Sequence, residues 1–327
     1  MRRVKTKGKA PAVMLLPMLW LLLITLVVTV LPAGRLSVVL AAPGPALGTT
    51  SAPGTGGTST YAVVVTTTFL ADITARVAGE RAEVHALLRP GADPHSYQPV
   101  PGDIRQLSKA ALFVVHGAGL DSWADRLSKS AGTPTIVASR GLSPMTAEGE
   151  ENPHFWLDPL LVKTYVDNIH QALCQVDPVG CPLFGINAMS VKKSLDELHL
   201  WIEQQVAVLP PERRLLITYH DTFHYFASRY GFTVLGSIVH SAHPEAEPSS
   251  RQLAELTKIL AAYQVPVIFT ETTVNPKLAV ALGKQASANI KIATLYTGSL
   301  SAPDGPAADY FTMMRYNTRT IVESLKK

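Results

Sequence analysis

The feature that most constrains the fold is an alternation of short β-branched runs with helical patterns, which begins at Tyr61 and restarts after Arg214. The strand candidates of the first series are YAVVVTTTF, RAEVHALL, LFVVHGAG and PTIVAS, and those of the second are LLITYH, FTVLGSIV, PVIFTET and IKIATLY. Strands that alternate with helices are typical of βα units around a mainly parallel sheet. The sequence therefore predicts an α/β protein with two lobes.

A long segment without proline, residues 183–209, separates the two series. Its apolar residues, among them Leu195, Leu198 and Ile202, recur at helical spacing. A helix of this length spans about 40 Å at about 1.5 Å per residue, so a single helix can brace both lobes. We predict an N-terminal lobe over 61–182, a connecting helix over 183–209 and a C-terminal lobe over 210–327.

The first 42 residues differ from the rest of the chain in charge and hydropathy. They contain six basic residues and no acidic one, with an apolar run from about Met14 to Leu31. This pattern predicts a signal peptide or an uncleaved signal anchor over 1–42, because the run is close to the length that spans a bilayer. Either form exports the body of the chain to the periplasm or the extracytoplasmic membrane surface, with membrane contact only through an uncleaved leader. Residues 43–60, rich in Gly, Ser, Thr and Pro, predict a flexible linker.

The positive net charge of the whole chain comes from the basic leader, because the remaining residues carry a small negative net charge. The whole sequence has 29 basic and 25 acidic residues, so removing the six basic residues of the leader leaves 23 against 25, a net charge of −2. This balance predicts no nucleic-acid partner.

The chain has two cysteines, Cys174 and Cys181, which flank the turn residues Asp177 and Pro178. Two cysteines in an exported chain predict a disulfide, with two free thiols as the alternative. Neither cysteine lies directly after the apolar run of the leader. The sequence therefore does not predict the lipid-modified cysteine of a bacterial lipoprotein.

Two histidines of the first half stand in similar frames: Pro94 precedes His95 in DPHSYQP, and Pro153 precedes His154 in NPHFWLDP. Proline fixes its own φ and restricts the residue before it, so each imidazole is held by a stiff loop. A third histidine, His220, ends the strand candidate LLITYH. Because ligands bind beyond the carboxyl ends of strands and between lobes, we expect these three imidazoles to converge in the interlobe cleft.

Three imidazoles form a nitrogen-rich donor set that suits zinc, whereas manganese prefers oxygen donors. Each candidate ligand has an acid beside it that can accept its outer ring N–H or cap a helix; these acids are Asp93, Asp158 and Asp221. Three more histidines are weaker candidates for metal binding, with packing or surface positions as the ordinary explanation: His224, His240 and His243.

Four motifs, DPHSYQP, NPHFWLDP, YHDTFHYFASRYGF and ADYFTMMRYN, carry a likeness to a known family. In these motifs, from about Tyr61 to Lys327, the chain resembles the zinc and manganese solute-binding proteins of bacterial ABC importers, the cluster A-I family. The resemblance implies two (β/α) lobes joined by a long helix, one metal site between them, an ABC permease as partner, and no enzymatic activity. By motif, His95, His154 and His220 match the family's first three ligands.

The chain departs from this family at the fourth ligand. Members place an aspartate or glutamate in a loop of the second lobe, as in TDSL, whereas this chain has YTGSL with Gly298 at that position. Three alternatives follow: an exogenous ligand such as water completes the site, Glu271 at the end of PVIFTE swings in, or the site is impaired or retuned. In its more ordinary role Glu271 supports a ligand or caps a helix.

We therefore predict a monomeric extracytoplasmic protein that captures Zn²⁺ and delivers it to an ABC permease for import. The alternatives are a manganese- or iron-binding member of the same family, a metal-dependent adhesin or zinc-donating chaperone, and a zinc hydrolase. The sequence contains no HExxH motif, which argues against the hydrolase.

Overall fold

The computed structural model describes residues 60–147, 150–241, 243–244, 246–286 and 289–326. The predicted leader over 1–42 and all but the last residue of the predicted linker lie outside these described residues. Within the described ranges, no helix combines the length and apolar character needed to cross a membrane.

In the part of the chain that the structure describes, the first lobe has a four-stranded parallel sheet with strand order β2-β1-β3-β4. Its strands are β1 (Tyr61–Val65), β2 (Ala82–Ala86), β3 (Leu112–Val115) and β4 (Thr135–Val137). The helices between them are α1 (Thr68–Ala78), α2 (Pro101–Leu107) and α3 (Ala124–Ala131). Consecutive valines of β1 are fully buried, as expected for a parallel strand whose two faces are both covered.

The second lobe repeats this design, and its described residues form a four-stranded parallel sheet with strand order β10-β9-β7-β8. Its strands are β7 (Leu215–Thr218), β8 (Thr233–Ser237), β9 (Val267–Glu271) and β10 (Lys291–Leu295). Its helices are α6 (His224–Tyr230), α7 (Ser250–Tyr263), α8 (Lys277–Ala286) and the final α9 (Tyr310–Leu325). The prediction of two α/β lobes is confirmed.

Two elements at the end of the first lobe do not follow from the strand and helix patterns of the sequence. An antiparallel hairpin is formed by β5 (Met145–Ala147) and β6 (Glu150–Asn152). Helix α4 (Pro159–Val176) follows, and it begins where the Asp158 carboxylate accepts the Leu160 N–H and Pro159 occupies the first turn.

The long helix α5 (Cys181–Val206) packs against α4, α1 and α9. It begins two residues before the predicted segment 183–209, because Pro182 fits the first turn. Backbone N–H groups in the first turn have no acceptor within the helix, so a proline without an N–H loses no hydrogen bond there. The helix ends at Val206, three residues before the predicted end, where the Ala207 N–H donates to the Glu203 carbonyl. Pro210 disfavours helix at Leu209. The Sγ atoms of Cys174 and Cys181 are 2.01 Å apart, and this disulfide links α4 to the start of α5.

One apolar core runs through both lobes. It includes Val63 of the first sheet, Leu195 and Leu198 of α5, Phe269 of the second sheet and Ile321 of α9. These side chains are almost completely buried. The two sheets are therefore joined by shared packing on α5 as well as by the chain itself.

Candidate metal centre

Three imidazoles from separate loops converge between the lobes. His95 lies in the loop after β2, His154 follows β6, and His220 follows β7. The Nε2 atom of His154 is 3.2 Å from the Nε2 of His95 and 3.2 Å from the Nε2 of His220. One nitrogen from each ring lies within 4.8 Å of the other two. The rings are thus at the spacing of ligands around a single ion.

The loop of His95 is held by its neighbours rather than by contacts to the ring. The Asp93 carboxylate accepts the backbone N–H of His95 at 3.1 Å and the hydroxyl of Ser96 at 2.9 Å. Trp123 donates its indole N–H to the carbonyl of Pro94 at 2.9 Å. The outer nitrogen of His95, Nδ1, is buried and has no hydrogen-bond partner among the described residues.

The His154 ring, in contrast, is fixed by Asn152. The amide oxygen of Asn152 lies 3.1 Å from the backbone N–H of His154 and 2.8 Å from its Nδ1. The amide nitrogen of Asn152 donates to the carbonyl of Asp221 at 2.5 Å, which sets the amide orientation. Because that oxygen only accepts, Nδ1 of His154 carries the proton and its Nε2 presents a lone pair. Trp156, fully buried, packs beside this ring.

The His220 ring is held by a buried acid of the second lobe. Its Nδ1 lies 2.5 Å from a carboxylate oxygen of Glu271, whose other oxygen accepts the hydroxyl of Thr297. The hydroxyl of Thr222 lies 3.0 Å from each ring nitrogen of His220. A carboxylate can accept the Nδ1 proton of His220, which leaves Nε2 of the neutral ring as the nitrogen with a lone pair.

With both rings in the neutral form that metal coordination requires, the Nε2 lone pairs of His154 and His220 lie 3.2 Å apart. Lone pairs at this distance repel unless a cation lies between them. Ligand nitrogens at zinc bond lengths of about 2.0–2.1 Å and tetrahedral angles are about 3.3 Å apart. The donor set therefore fits a transition-metal cation.

The surroundings also keep the rings of His154 and His95 in the form that binds metal. Burial holds the pKa of His154 well below the ordinary value of 6.5, and its neighbours His220 and His95 lower it further. Burial likewise lowers the pKa of His95, with smaller contributions from His220 and His243. Both imidazoles are therefore neutral at pH 7, as metal coordination requires.

In the described structure, Asp158 and Asp221 form hydrogen bonds and ion pairs with residues other than the three candidate ligands. Asp158 caps α4 and forms an ion pair with Arg229 at 2.8 Å, and Asp221 accepts the hydroxyl of Ser237 at 2.6 Å. Of the two alternatives for these acids, helix capping applies to Asp158, and neither carboxylate contacts a candidate ligand. Asn152, which sequence reasoning missed, lies two residues before His154, where Asp93 stands relative to His95.

Gly298 lies in a loop of the second lobe that contacts the first. A Cβ atom at this position would lie 2.8 Å from Cδ of Pro94, so the loop accepts no side chain there without shifting. The next residue, Ser299, accepts the Gly91 N–H at 2.9 Å, and the Leu300 N–H donates to Thr68 at 2.8 Å. Position 298, where the resembling family has a carboxylate, therefore packs closely against Pro94 of the first lobe.

The remaining candidate histidines are outside this cluster. His224 and His240 line a separate cavity of about 310 Å³ with Asp221 and Glu255. His243 is exposed, and its ring centroid lies 5.2 Å from that of His95.

Comparisons with known proteins agree with this architecture. The family described as "ZnuA: Zinc-uptake complex component A periplasmic" matches residues 63–324. The manganese-binding lipoprotein MntA of Halalkalibacterium halodurans is 31% identical over 268 residues, which cover 81% of this chain and 88% of that protein. The iron-binding protein YfeA of Yersinia pestis is 30% identical over 269 residues, covering 80% of this chain and 86% of that protein.

Solved structures give the same result for the fold. The periplasmic zinc-binding protein TroA from Treponema pallidum has a TM-score of 0.76 and 27% identity, covering 81% of this chain and 99% of that chain. A manganese-bound periplasmic metal-binding protein from Candidatus Liberibacter asiaticus has a TM-score of 0.72 and 26% identity, with the same coverage. The chain therefore belongs to the zinc-uptake complex component A family, the extracytoplasmic substrate-binding proteins of ABC transporters for metals.

Proposed function

We propose that this protein captures Zn²⁺ outside the cytoplasm and delivers it, as a monomer, to an ABC permease. The proposed ligands are the Nε2 atoms of His95, His154 and His220. The observation that carries this proposal is the convergence of one nitrogen from each of these three rings within 4.8 Å, with the Nε2 atoms of His154 and His220 3.2 Å apart across the two lobes.

The choice of zinc depends on the donor set, because the names of the relatives include manganese, iron and zinc. The three proposed ligands are all nitrogen donors, and Gly298 supplies no carboxylate. Manganese favours oxygen donors, whereas neutral imidazoles suit zinc. We therefore expect zinc to bind more tightly than manganese, with manganese or iron as the alternative cargo.

A water molecule is the proposed fourth ligand. The other protein candidate, Glu271, has one carboxylate oxygen on His220 and the other on the Thr297 hydroxyl. Swinging this acid onto the metal would break both contacts and leave the Nδ1 proton of His220 without its carboxylate partner in a buried site. Glu271 therefore acts by orienting His220, as carboxylates commonly do behind a metal-bound imidazole.

Delivery to the permease follows from the division of the ligands between the lobes. His95 and His154 belong to the first lobe, and His220 to the second. Any separation of the lobes lengthens the bond to His220 and weakens metal binding. A permease that binds the two lobes in a more open arrangement would therefore favour release.

The hydrolase and adhesin alternatives gain no support from the described residues. A hydrolase would need a free general base beside the metal-bound water, and the carboxylate of Glu271 is engaged on both oxygens.

Calorimetric titration of the metal-free protein with Zn²⁺ and, separately, with Mn²⁺ tests the proposed function. We expect one zinc ion per chain and a lower Kd for zinc than for manganese. Equal or reversed affinities would contradict the assignment of zinc. Failure of both ions to bind would contradict the metal site itself.

A further inference from the structure

A fourth imidazole, that of His243, stands next to the metal centre at the spacing of a ligand ring. Its centroid is 5.2 Å from that of His95, with the two planes at 83°. The three proposed ligand rings have centroids 5.2, 5.7 and 5.0 Å apart. His243 does not, however, belong to the set of nitrogens that lie within 4.8 Å of one another. It is therefore near His95 but outside the three-nitrogen site.

The ligand that His243 contacts is also the least restrained of the three. The outer nitrogens of His154 and His220 have partners in Asn152 and Glu271, whereas Nδ1 of His95 has none among the described residues. His154 and His220 are only 1% and 2% exposed, while His95 is partly exposed. His95 is thus the ligand that an ion arriving from solvent can reach first.

The loop of His243 is tied to both sides of the cleft. The backbone N–H of His243 donates to the Ser241 hydroxyl at 3.0 Å, and that hydroxyl donates to Glu150 of the first-lobe hairpin at 2.9 Å. The carbonyl of Ser241 accepts the N–H of Asp221, the residue directly after His220, at 3.1 Å. These bonds hold the exposed His243 ring at the mouth of the site.

Given the zinc function proposed above, on which this inference rests, we propose that His243 is an entrance ligand. An arriving Zn²⁺ binds the imidazoles of His243 and His95 first and then passes to the three Nε2 atoms. His243 replaces one water of the hydrated ion before the buried nitrogens replace the others, so the ion loses its hydration shell in steps. The final site keeps three imidazoles and a water.

An entrance ligand has a kinetic signature that a permanent ligand lacks. His243 stabilises the ion on its path in and, by microscopic reversibility, on its path out. Removing it lowers the association and dissociation rate constants by the same factor and leaves Kd unchanged. Removing a permanent ligand raises Kd, mainly through faster dissociation.

Stopped-flow measurements on the full chain, with Zn²⁺ and a zinc-sensitive chelating dye, test this inference. In His243→Ala we expect both rate constants to fall about tenfold, which corresponds to about 1.4 kcal/mol of lost transition-state stabilisation. We expect Kd to change less than about twofold, whereas a tenfold change in Kd would correspond to about 1.4 kcal/mol of binding free energy. The matched control is His240→Ala. His240 belongs to the same loop but lines the separate cavity, so we expect wild-type rate constants for this variant.

Three results would overturn the entrance role. Unchanged rate constants in His243→Ala would make His243 a bystander. A raised Kd with faster dissociation would make it a permanent ligand. Equal slowing in His240→Ala would indicate a general effect of the loop. Tight zinc binding by the wild type in any of these cases would leave the proposed function intact, whereas a wild type that binds no zinc would overturn both.

Discussion

The loops of His95 and His154 begin with similar residues, since Asp93 and Asn152 each stand two residues before a histidine with a proline between. In both loops the first side chain accepts the backbone N–H of the histidine at 3.1 Å. Only Asn152 also reaches the ring, with its oxygen 2.8 Å from Nδ1. The second oxygen of Asp93 accepts the Ser96 hydroxyl instead.

The motif thus determines the loop backbone, while the surroundings determine how firmly the ring is held. His154 is buried against Trp156 and faces both other imidazoles. His95 is partly exposed and adjoins His243. The centre thus has a rigid part, His154 and His220 with their outer partners, and an adaptable part, His95.

The largest expected effect is the loss of zinc affinity in His154→Ala, because this ring is central to the cluster. We expect Kd to rise about 1000-fold or more, beyond the roughly 100-fold upper range for losing an outer partner. We also expect large rises in Kd for His95→Ala and His220→Ala. The rise for His95→Ala should be about tenfold smaller than that for His154→Ala, because the entropy lost when the freer His95 ring becomes ordered offsets part of its contribution to binding. Competition with a chelating dye measures all three. The control is His85→Ala, on the exposed face of β2, for which we expect the wild-type Kd. A larger rise in Kd for His95→Ala than for His154→Ala would contradict the assignment of His95 as the adaptable ligand.

Metal removal should have the next largest effect, on the stability of the two-lobed fold. Zinc at 100 times Kd stabilises the native state by about 2.7 kcal/mol if it does not bind the unfolded chain. We expect thermal unfolding to shift to higher temperature with zinc and to return after chelation. His154→Ala should show almost no shift at the same zinc concentration. An equal shift in this variant would mean that the stabilising ion binds elsewhere.

The outer partners give a smaller effect that compares the two loops directly. Asn152→Ala and Glu271→Gln should each raise Kd for zinc about 10- to 100-fold, because each side chain orients a ring. Asp93→Asn should change Kd less, since an asparagine keeps the oxygen that accepts the backbone N–H of His95. Calorimetric titration measures these values. A larger loss in Asp93→Asn than in Asn152→Ala would contradict the rigid and adaptable assignment.

The smallest expected effect comes from the contact between Gly298 and Pro94. A Cβ at position 298 lies 2.8 Å from Cδ of Pro94, so Gly298→Ala should lower the free energy of unfolding by about 1 kcal/mol through overpacking. Gly102→Ala, where the nearest atoms lie at 3.8 Å, is the matched control. Urea denaturation of both variants measures the difference, and equal stability would show that the loops move apart without cost.

Sequence patterns predicted the architecture well where the signal is local. The β-branched runs predicted both sheets, and the Pro-His pairs with the strand-ending His220 identified three rings that the structure brings together. Helix α5 begins two residues before the predicted segment, where Pro182 fits the first turn, and ends three residues before the end of that segment. The hairpin β5–β6 is made of strands too short to give a periodic pattern.

The outer partners could not be predicted in the same way. Glu271 meets His220 across 51 residues of sequence, so its contact depends on the register of β9 beside β7. Sequence alone left this acid between a ligand and a supporting role. The contact between Gly298 and Pro94 joins the two lobes and has no local signal at all.

Imidazoles from both lobes are proposed to bind one zinc ion. Anomalous diffraction at the zinc edge, from crystals of the zinc-loaded protein, locates that ion. We expect a single strong peak about 2.0–2.1 Å from Nε2 of His95, His154 and His220. A peak at another group of side chains, or a cleft without zinc and with these three rings apart, would contradict the account.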